Sequence, residues 1–128
     1  MRRQLEYINE ETDIVNLFES KIVGIRLDAI TSKVELTINW TEGDNISFIF
    51  ENCRDLKIDL KHHSAYLENE IGILEITGFS YKRVNEEFII QFDFDFNLMG
   101  QIQFRCMRFV LYTPSLPMQS GGNDNLIL

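Results

Sequence analysis

Residues 88–106, FIIQFDFDFNLMGQIQFRC, decide the fold class of this chain. Phenylalanine or isoleucine occupies every second position from Phe88 to Phe96, and from Gln91 onward the positions between them are polar or acidic. A period of two is typical of a strand that buries one face and exposes the other. The stretch therefore predicts a β-hairpin whose Phe-rich face lies in the core.

The turn of this hairpin is predicted at residues 98–100, because Gly100 tolerates the positive φ that a tight turn requires. With this loop, Phe94 lies opposite Phe104 on the buried face, and Asp93 lies opposite Arg105 on the solvated face.

The same period continues upstream. Residues 21–28 and 33–40 form a second predicted hairpin, whose apolar positions on the first strand are Val23, Ile25 and Leu27. A four-residue loop sets Arg26 opposite Glu35 and Leu27 opposite Val34, so that charged and apolar positions match at once.

Further strands are predicted at 46–51, 56–61 and 71–82, the last with a bulge where the apolar parity changes. The final strand carries a second bulge near Cys106. The prediction is an all-β domain of about seven strands, mainly antiparallel and sequential. It should close into a barrel or fold into a sandwich, because an open sheet would expose the Phe face.

The two ends of the chain depart from this pattern. Residues 4–18 carry apolar side chains at loosely helical spacing, which predicts a short N-terminal helix. Residues 113–128 contain both prolines of the chain and scattered polar residues, which predicts a flexible tail. The predicted domain spans residues 1–112.

Composition narrows the class of function. With 45% hydrophobic and 25% charged residues the chain is globular, and its formal charge of −8 repels phosphate backbones and anionic lipid. We expect no nucleic acid and no membrane as partners. The basic N-terminus lacks the apolar stretch of a signal peptide, which predicts a cytoplasmic protein.

No phosphate-binding, nucleophile or zinc motif occurs, so no cofactor, metal or catalytic residue is predicted. Cys53 and Cys106 stand apart in sequence and are interpreted as reduced packing residues. Asp93 and Asp95 share a predicted strand face and would do acid–base work only if buried; a solvated face beside Arg105 is the preferred interpretation.

Two sets of residues are candidates for binding. An irregular stretch at 61–70 would place a possible ligand-binding mouth at His62, His63 and Tyr66. A basic protein partner would instead meet acidic positions along the chain, namely Asp44, Asp59, Glu68, Glu70, Glu86 and Glu87.

Residues 17–23, LFESKIV, and 48–60, FIFENCRDLKIDL, resemble small bacterial β proteins of the immunity-protein type, over about residues 17–112. The resemblance implies a cytosolic protein that binds and neutralises a toxin domain, and it transfers no catalytic motif. A barrel that binds a small apolar ligand, an enzyme without a recognisable motif, and a homodimer formed through a strand edge remain the alternatives.

Overall fold

The structure is a computed structural model, and it describes residues 5–41, 43–60, 74–96 and 98–114. A 3-10 helix, Asn9–Ile14, follows the first strand. The strands are β1 (Leu5–Ile8), β2 (Lys21–Asp28), β3 (Lys33–Asn39), β4 (Ile46–Glu51), β5 (Arg54–Leu60), β6 (Leu74–Val84), β7 (Glu87–Phe94), β8 (Gly100–Cys106) and β9 (Arg108–Thr113).

All nine strands form one antiparallel sheet in the order β1-β9-β4-β3-β2-β6-β7-β8-β5. The all-β prediction is confirmed, but the number of strands is nine in the described residues instead of seven. Of the two predicted arrangements, the closed barrel is wrong for the described residues, because β1 and β5 end the sheet without pairing with each other. The predicted sequential order holds within β2–β4 and within β6–β8, whereas β9 and β5 pair with strands distant in sequence.

The sheet bends between β2 and β6, where Lys21 pairs with Glu75 and Ile22 with Leu74. This bend brings aromatic rings of distant strands together: the ring centroids of Phe50 on β4 and Phe104 on β8 lie 4.8 Å apart. The two halves of the sheet thus enclose one Phe-rich core between them.

The N-terminal segment is a strand and a short 3-10 helix, so the predicted helix at 4–18 is wrong. Leu5 to Ile8 pair with Thr113 to Val110 of β9, because the free edge of β9 supplies backbone partners that an isolated short helix would lack. The apolar residues that gave the helical spacing lie in a strand, in a 3-10 helix and in an irregular segment that follows it.

The hairpin of β2 and β3 has the predicted register: Arg26 lies opposite Glu35 and Leu27 opposite Val34. A bulge between Ile22 and Gly24 nevertheless makes Val23 an extra residue. Ile22 is therefore buried in place of Val23. The predicted apolar positions Val23, Ile25 and Leu27 are all exposed, so the prediction that they form a buried face is wrong.

The register of the last hairpin differs from the prediction. Phe94 lies opposite Gly100 and Asp93 opposite Gln101, so residues 95–99 form the loop. The predicted and observed registers differ by four residues, and an even shift keeps every side chain on its face. Alternation alone therefore could not distinguish them.

The predicted final strand is two strands that meet at Met107. Glu51 pairs with Arg108, and beyond the break Arg54 pairs with Arg105, so the ribbon of β4–β5 and β8–β9 turns a corner between the two halves of the sheet. A bend of this kind is how strands pass from one packed layer to another.

The expected bulge of the 71–82 strand lies between Ile76 and Gly78 of β6. At the other end of the chain, β9 extends to Thr113, and the rest of the predicted tail, 115–128, lies outside the described residues. Within the described ranges, no helix has the length and apolar character needed to cross a membrane.

Candidate functional site

The residues predicted from sequence do not assemble into one site in the described structure. His62, His63, Tyr66, Glu68 and Glu70 lie outside the described residues. Three of the remaining acidic candidates are exposed and one is half-buried, on different elements: Asp44 in the β3–β4 turn, Asp59 on β5, Glu86 in the β6–β7 turn and Glu87 at the start of β7.

Two of these acids are at opposite ends of the second half of the sheet. Asp59 pairs with Gln101, whereas Glu87 bonds to Arg54, five residues earlier on the strand that carries Asp59. Five strand residues span roughly 16 Å. One side chain of a partner therefore cannot contact both the Asp59 and the Glu87 carboxylates.

Glu87 already has a strong partner within the chain. Its Oε2 accepts a hydrogen bond from Arg54 Nε and its Oε1 one from Arg54 Nη2, both at 2.7 Å. The side-chain hydrogen bonds from Arg54 lower the pKa of Glu87, and Arg105 adds an attraction at 3.6 Å. The Glu87 carboxylate therefore already stabilises the corner of the β4–β5 and β8–β9 ribbon within the chain itself.

Phenylalanine rings fill the interior between the two halves of the sheet. Phe48, Phe50 and Phe92 are fully buried, and their ring centroids lie 4.4 to 6.2 Å apart. Such separations are those of direct edge-to-face and stacked contact. The rings pack against one another in this interior. The clefts of the described structure open instead at its surface.

Burial suppresses the reactivity of the two cysteines. Both are free thiols, with Cys106 fully buried and Cys53 half-buried at the corner of the sheet. Desolvation raises the pKa of Cys53 to about 11 and that of Cys106 to about 12. A thiol in this state is a poor nucleophile at neutral pH.

A surface site is instead built around residues 15–20, the segment that follows the 3-10 helix and turns where Ser20 N donates to the Leu17 carbonyl at 3.0 Å. Val15 and Leu17 are buried, Trp40 Nε1 donates to the Asn16 carbonyl at 2.9 Å, and Thr41 N donates to Ser20 Oγ at 3.1 Å. These contacts hold the segment against the sheet and leave the alternate side chain of Phe18 exposed.

Phe96 reaches the same surface from the β7–β8 loop. The ring centroids of Phe18 and Phe96 lie 6.3 Å apart, and their side chains are 44% and 69% exposed. Asp95 and Phe96 both have positive φ, 54° and 52°, a region that bulky residues rarely adopt. Phe96 N donates to Thr77 Oγ1 at 2.6 Å, which holds the loop in this conformation.

The two rings stand beside a cleft of about 310 Å³, which we call the Phe18–Phe96 cleft. Residues 12–18 form one wall and residues 76–79 of β6 form the other. Exposed Ile14 adds an apolar side chain inside the cleft, and exposed Leu98 adds one in the loop of Phe96. Its volume is at the lower end of the range for ligand-binding clefts.

Carboxylates surround this cleft. Asp13 lines it, Glu19 and Asp95 adjoin the two rings in sequence and are exposed, and Asp93 lies opposite Gly78 of the cleft wall. Asp13 accepts hydrogen bonds from the Tyr81 hydroxyl at 2.8 and 2.9 Å. Burial, followed by this bond to Asp13, raises the pKa of Tyr81 to about 12, so the hydroxyl stays a donor.

A second surface cleft, of about 420 Å³, lies at the bulge of β5 and is lined by Leu56, Lys57, Ile89 and Arg105 among others. Two of its charged groups pair with each other, with Arg105 Nε 3.7 Å from Asp55. It has no exposed aromatic ring of the kind that Phe18 and Phe96 supply, so we regard the Phe18–Phe96 cleft as the candidate site.

Sequence reasoning missed both aromatic residues of this site. The spacing of residues 4–18 places Phe18 in a predicted helix, and the alternation of residues 88–96 places Phe96 at the last core position of a predicted strand. For Phe96 the sequence does carry a signal of a turn, because the flanking residues Asp95 and Asn97 are of types that favour turns and left-handed backbone.

Within the ranges that the structure describes, no group of three or more histidine, cysteine or acidic residues is arranged to hold a metal ion. When the chain is compared with models of protein families, with curated proteins and with solved structures, none of them matches it.

Proposed function

We propose that this protein is a non-enzymatic protein-interaction module, of the immunity type that residues 17–112 resemble, and that a basic protein partner docks at the Phe18–Phe96 cleft. The observation that carries the proposal is the exposed pair of aromatic rings beside the cleft. Exposed aromatic side chains in a concave, partly apolar surface are the usual anchors of protein interfaces.

The backbone of the β7–β8 loop supports this assignment. Each non-glycine residue in the left-handed region costs on the order of 1–3 kcal/mol, and Asp95 and Phe96 adopt it consecutively. Packing does not repay this cost, because the Phe96 ring is mostly solvated. Strain that holds an apolar side chain in water is expected where that side chain has a function.

The charge of the molecule supports a basic partner. The formal charge is −8, Asp13 lines the cleft, and Glu19 and Asp95 are exposed neighbours in sequence of the two rings. Complementary charge accelerates encounter with a basic protein and disfavours acidic competitors. The acids predicted from sequence, such as Glu86, would contribute to this field from outside the cleft.

The experiment is a pull-down from the source cell with the full chain, followed by intact-mass analysis. We expect a basic protein with the unchanged chain and a loss of at least about tenfold with the double variant Phe18→Ala/Phe96→Ala, since aromatic anchors typically contribute more than about 1.4 kcal/mol. Both rings are exposed, so the fold should survive, which circular dichroism checks.

The matched control is Ile30→Ala, because Ile30 is 94% exposed in the β2–β3 turn, where it lies outside the cleft. Equal capture by the double variant and by this control would contradict the assignment of the cleft. Recovery of a tightly bound small molecule in place of a protein would favour the ligand-binding alternative, to which the ring-filled interior is poorly suited.

A further inference from the structure

β6 has a strand neighbour on only one side along most of its length in the described structure. Toward β2, its backbone pairing ends at Ile76, whose N donates to the Ser20 carbonyl at 2.8 Å and whose carbonyl accepts from Glu19 N at 2.7 Å. From Gly78 to Val84 the described ladder runs to β7 alone. The opposite edge of β6 faces the segment that precedes β2.

Beyond Ile76, the contacts that the structure describes between β6 and the segment before β2 are made by side chains. The Tyr81 hydroxyl bonds to Asp13, and Arg83 Nη2 lies 3.3 Å from Glu10. The cleft lies between the backbone bonds at Ile76 and the side-chain bond at Tyr81, and residues 76–79 form its strand wall. It is therefore a short slot beside a strand edge that has no backbone partner among the described residues.

We infer that the partner enters the Phe18–Phe96 cleft as a short extended segment of alternating apolar and basic residues, which adds to the free edge of β6. The inference rests on the proposed function and specifies how the partner binds. Main-chain hydrogen bonds to an exposed strand edge supply affinity in this mode, and alternate side chains supply specificity.

The dimensions and chemistry of the slot set the occupant. The four residues 77–80 between the two attachments span roughly 13 Å, the length of about four residues of an added strand. Alternate side chains of such a strand point to opposite sides, which would let apolar ones meet the exposed rings of Phe18 and Phe96 and basic ones meet carboxylates such as Asp13. This charge complementarity selects a basic segment over a neutral one.

Fluorescein-labelled hexapeptides of alternating lysine and valine, with one valine replaced by phenylalanine, test the inference on the full chain by anisotropy. Two further series carry N-methyl groups on the odd or on the even amides, and a fourth replaces lysine by glutamate. Successive amides of a strand point to opposite edges. We expect one N-methylated series, and only one, to lose at least about tenfold in affinity, since only that series removes the N–H donors that face β6.

The glutamate peptide should bind at least about tenfold more weakly than the lysine peptide, and Phe18→Ala/Phe96→Ala should weaken the lysine peptide similarly. Equal binding of both N-methylated series would overturn strand addition while leaving the cleft as the site. Absence of binding by the lysine peptide would also overturn the inference. In either case the pull-down result with the aromatic variant decides the proposed function separately.

Discussion

Two residues in the β7–β8 hairpin show how much a single backbone conformation decides. Phe96 is the fifth member of an alternating apolar run, yet its φ of 52° takes it out of the strand and into solvent. Gly100 was predicted to need positive φ, and its φ is +123°. Its position, however, is in β8 opposite Phe94 and Leu60, outside the hairpin turn.

Gly100 is required by a close approach of two backbones. A Cβ at this position would lie 2.1 Å from the Asp59 carbonyl oxygen and 2.8 Å from Leu60 Cα. We expect Gly100→Ala to lower the free energy of unfolding by more than about 2 kcal/mol, because strained φ and a backbone clash act together. Urea denaturation monitored by circular dichroism measures the change.

Gly24 supplies the matched control, because a Cβ there would meet only the Thr37 side chain, at 3.5 Å. We expect Gly24→Ala to change the free energy of unfolding by less than about 1 kcal/mol, because alanine lowers the conformational entropy of the unfolded chain and this offsets the close contact with Thr37. Similar losses for the two variants would show that the approach of β5 to Gly100 is not the limiting contact.

Among the elements, the corner of the β4–β5 and β8–β9 ribbon is stabilised by charge as well as by pairing. Arg54 begins β5 and bonds bidentately to Glu87 at the start of β7, across Arg105 of β8. One outward-facing carboxylate thus connects three neighbouring strands at the point where the ribbon turns.

The lowered pKa of Glu87 has a defined consequence for stability against pH. A carboxyl whose pKa is lower in the folded state than in the unfolded state contributes stability above its ordinary pKa of 4.5, and this contribution is lost as pH falls below that value. We expect Glu87→Gln to destabilise the protein at pH 7 and to flatten the decline of stability toward pH 3. Unfolding midpoints in urea across this range measure both effects.

Glu86, the exposed neighbour in the β6–β7 turn, is the control position for this experiment. Glu86→Gln removes the same charge without removing the Arg54 bonds, so the acid decline should keep its slope. An equal flattening by both substitutions would attribute the effect to net charge and would contradict a specific role for the pair.

At the scale of the whole molecule, the bent open sheet creates unequal protection along the chain. β4 and β7 each have strand neighbours on both sides and alternate fully buried residues. β1 and β5 end the sheet, and residues 23–28 of β2 have β3 as their described neighbour on one side only. The strand-edge homodimer predicted from sequence stays a prediction, and light scattering tests it.

Native-state hydrogen exchange measures this inequality directly. We expect the amides of β4 and β7 to exchange most slowly, with those of β1, of β5 and of the free side of β2 exchanging by local opening well below the free energy of global unfolding. Slow exchange throughout residues 23–28 at high protein concentration, and faster exchange on dilution, would indicate that a second copy covers that edge. Uniform protection of all nine strands would contradict the open arrangement.

Local alternation was sufficient to predict the all-β class and the buried faces of the central strands. The period of two is a local property, so the bounds of β4, those of β3 to within one residue, and the buried side chains Phe88, Phe92 and Phe104 followed from alternation and from turn residues, whereas the predicted end of β7 was wrong. The register of the β2–β3 hairpin followed as well, because a short loop and matched charges left one consistent pairing.

The pairing of strand edges and the exposure of particular aromatic rings depended on the tertiary structure. β1 became a strand because β9 offered it an edge, and the ribbon turned a corner because the two halves of the sheet had to cover one core. The Phe18–Phe96 pair joins residues 78 positions apart. Neither ring carries a local signal of its neighbour, since contacts between distant segments depend on packing that alternation does not encode.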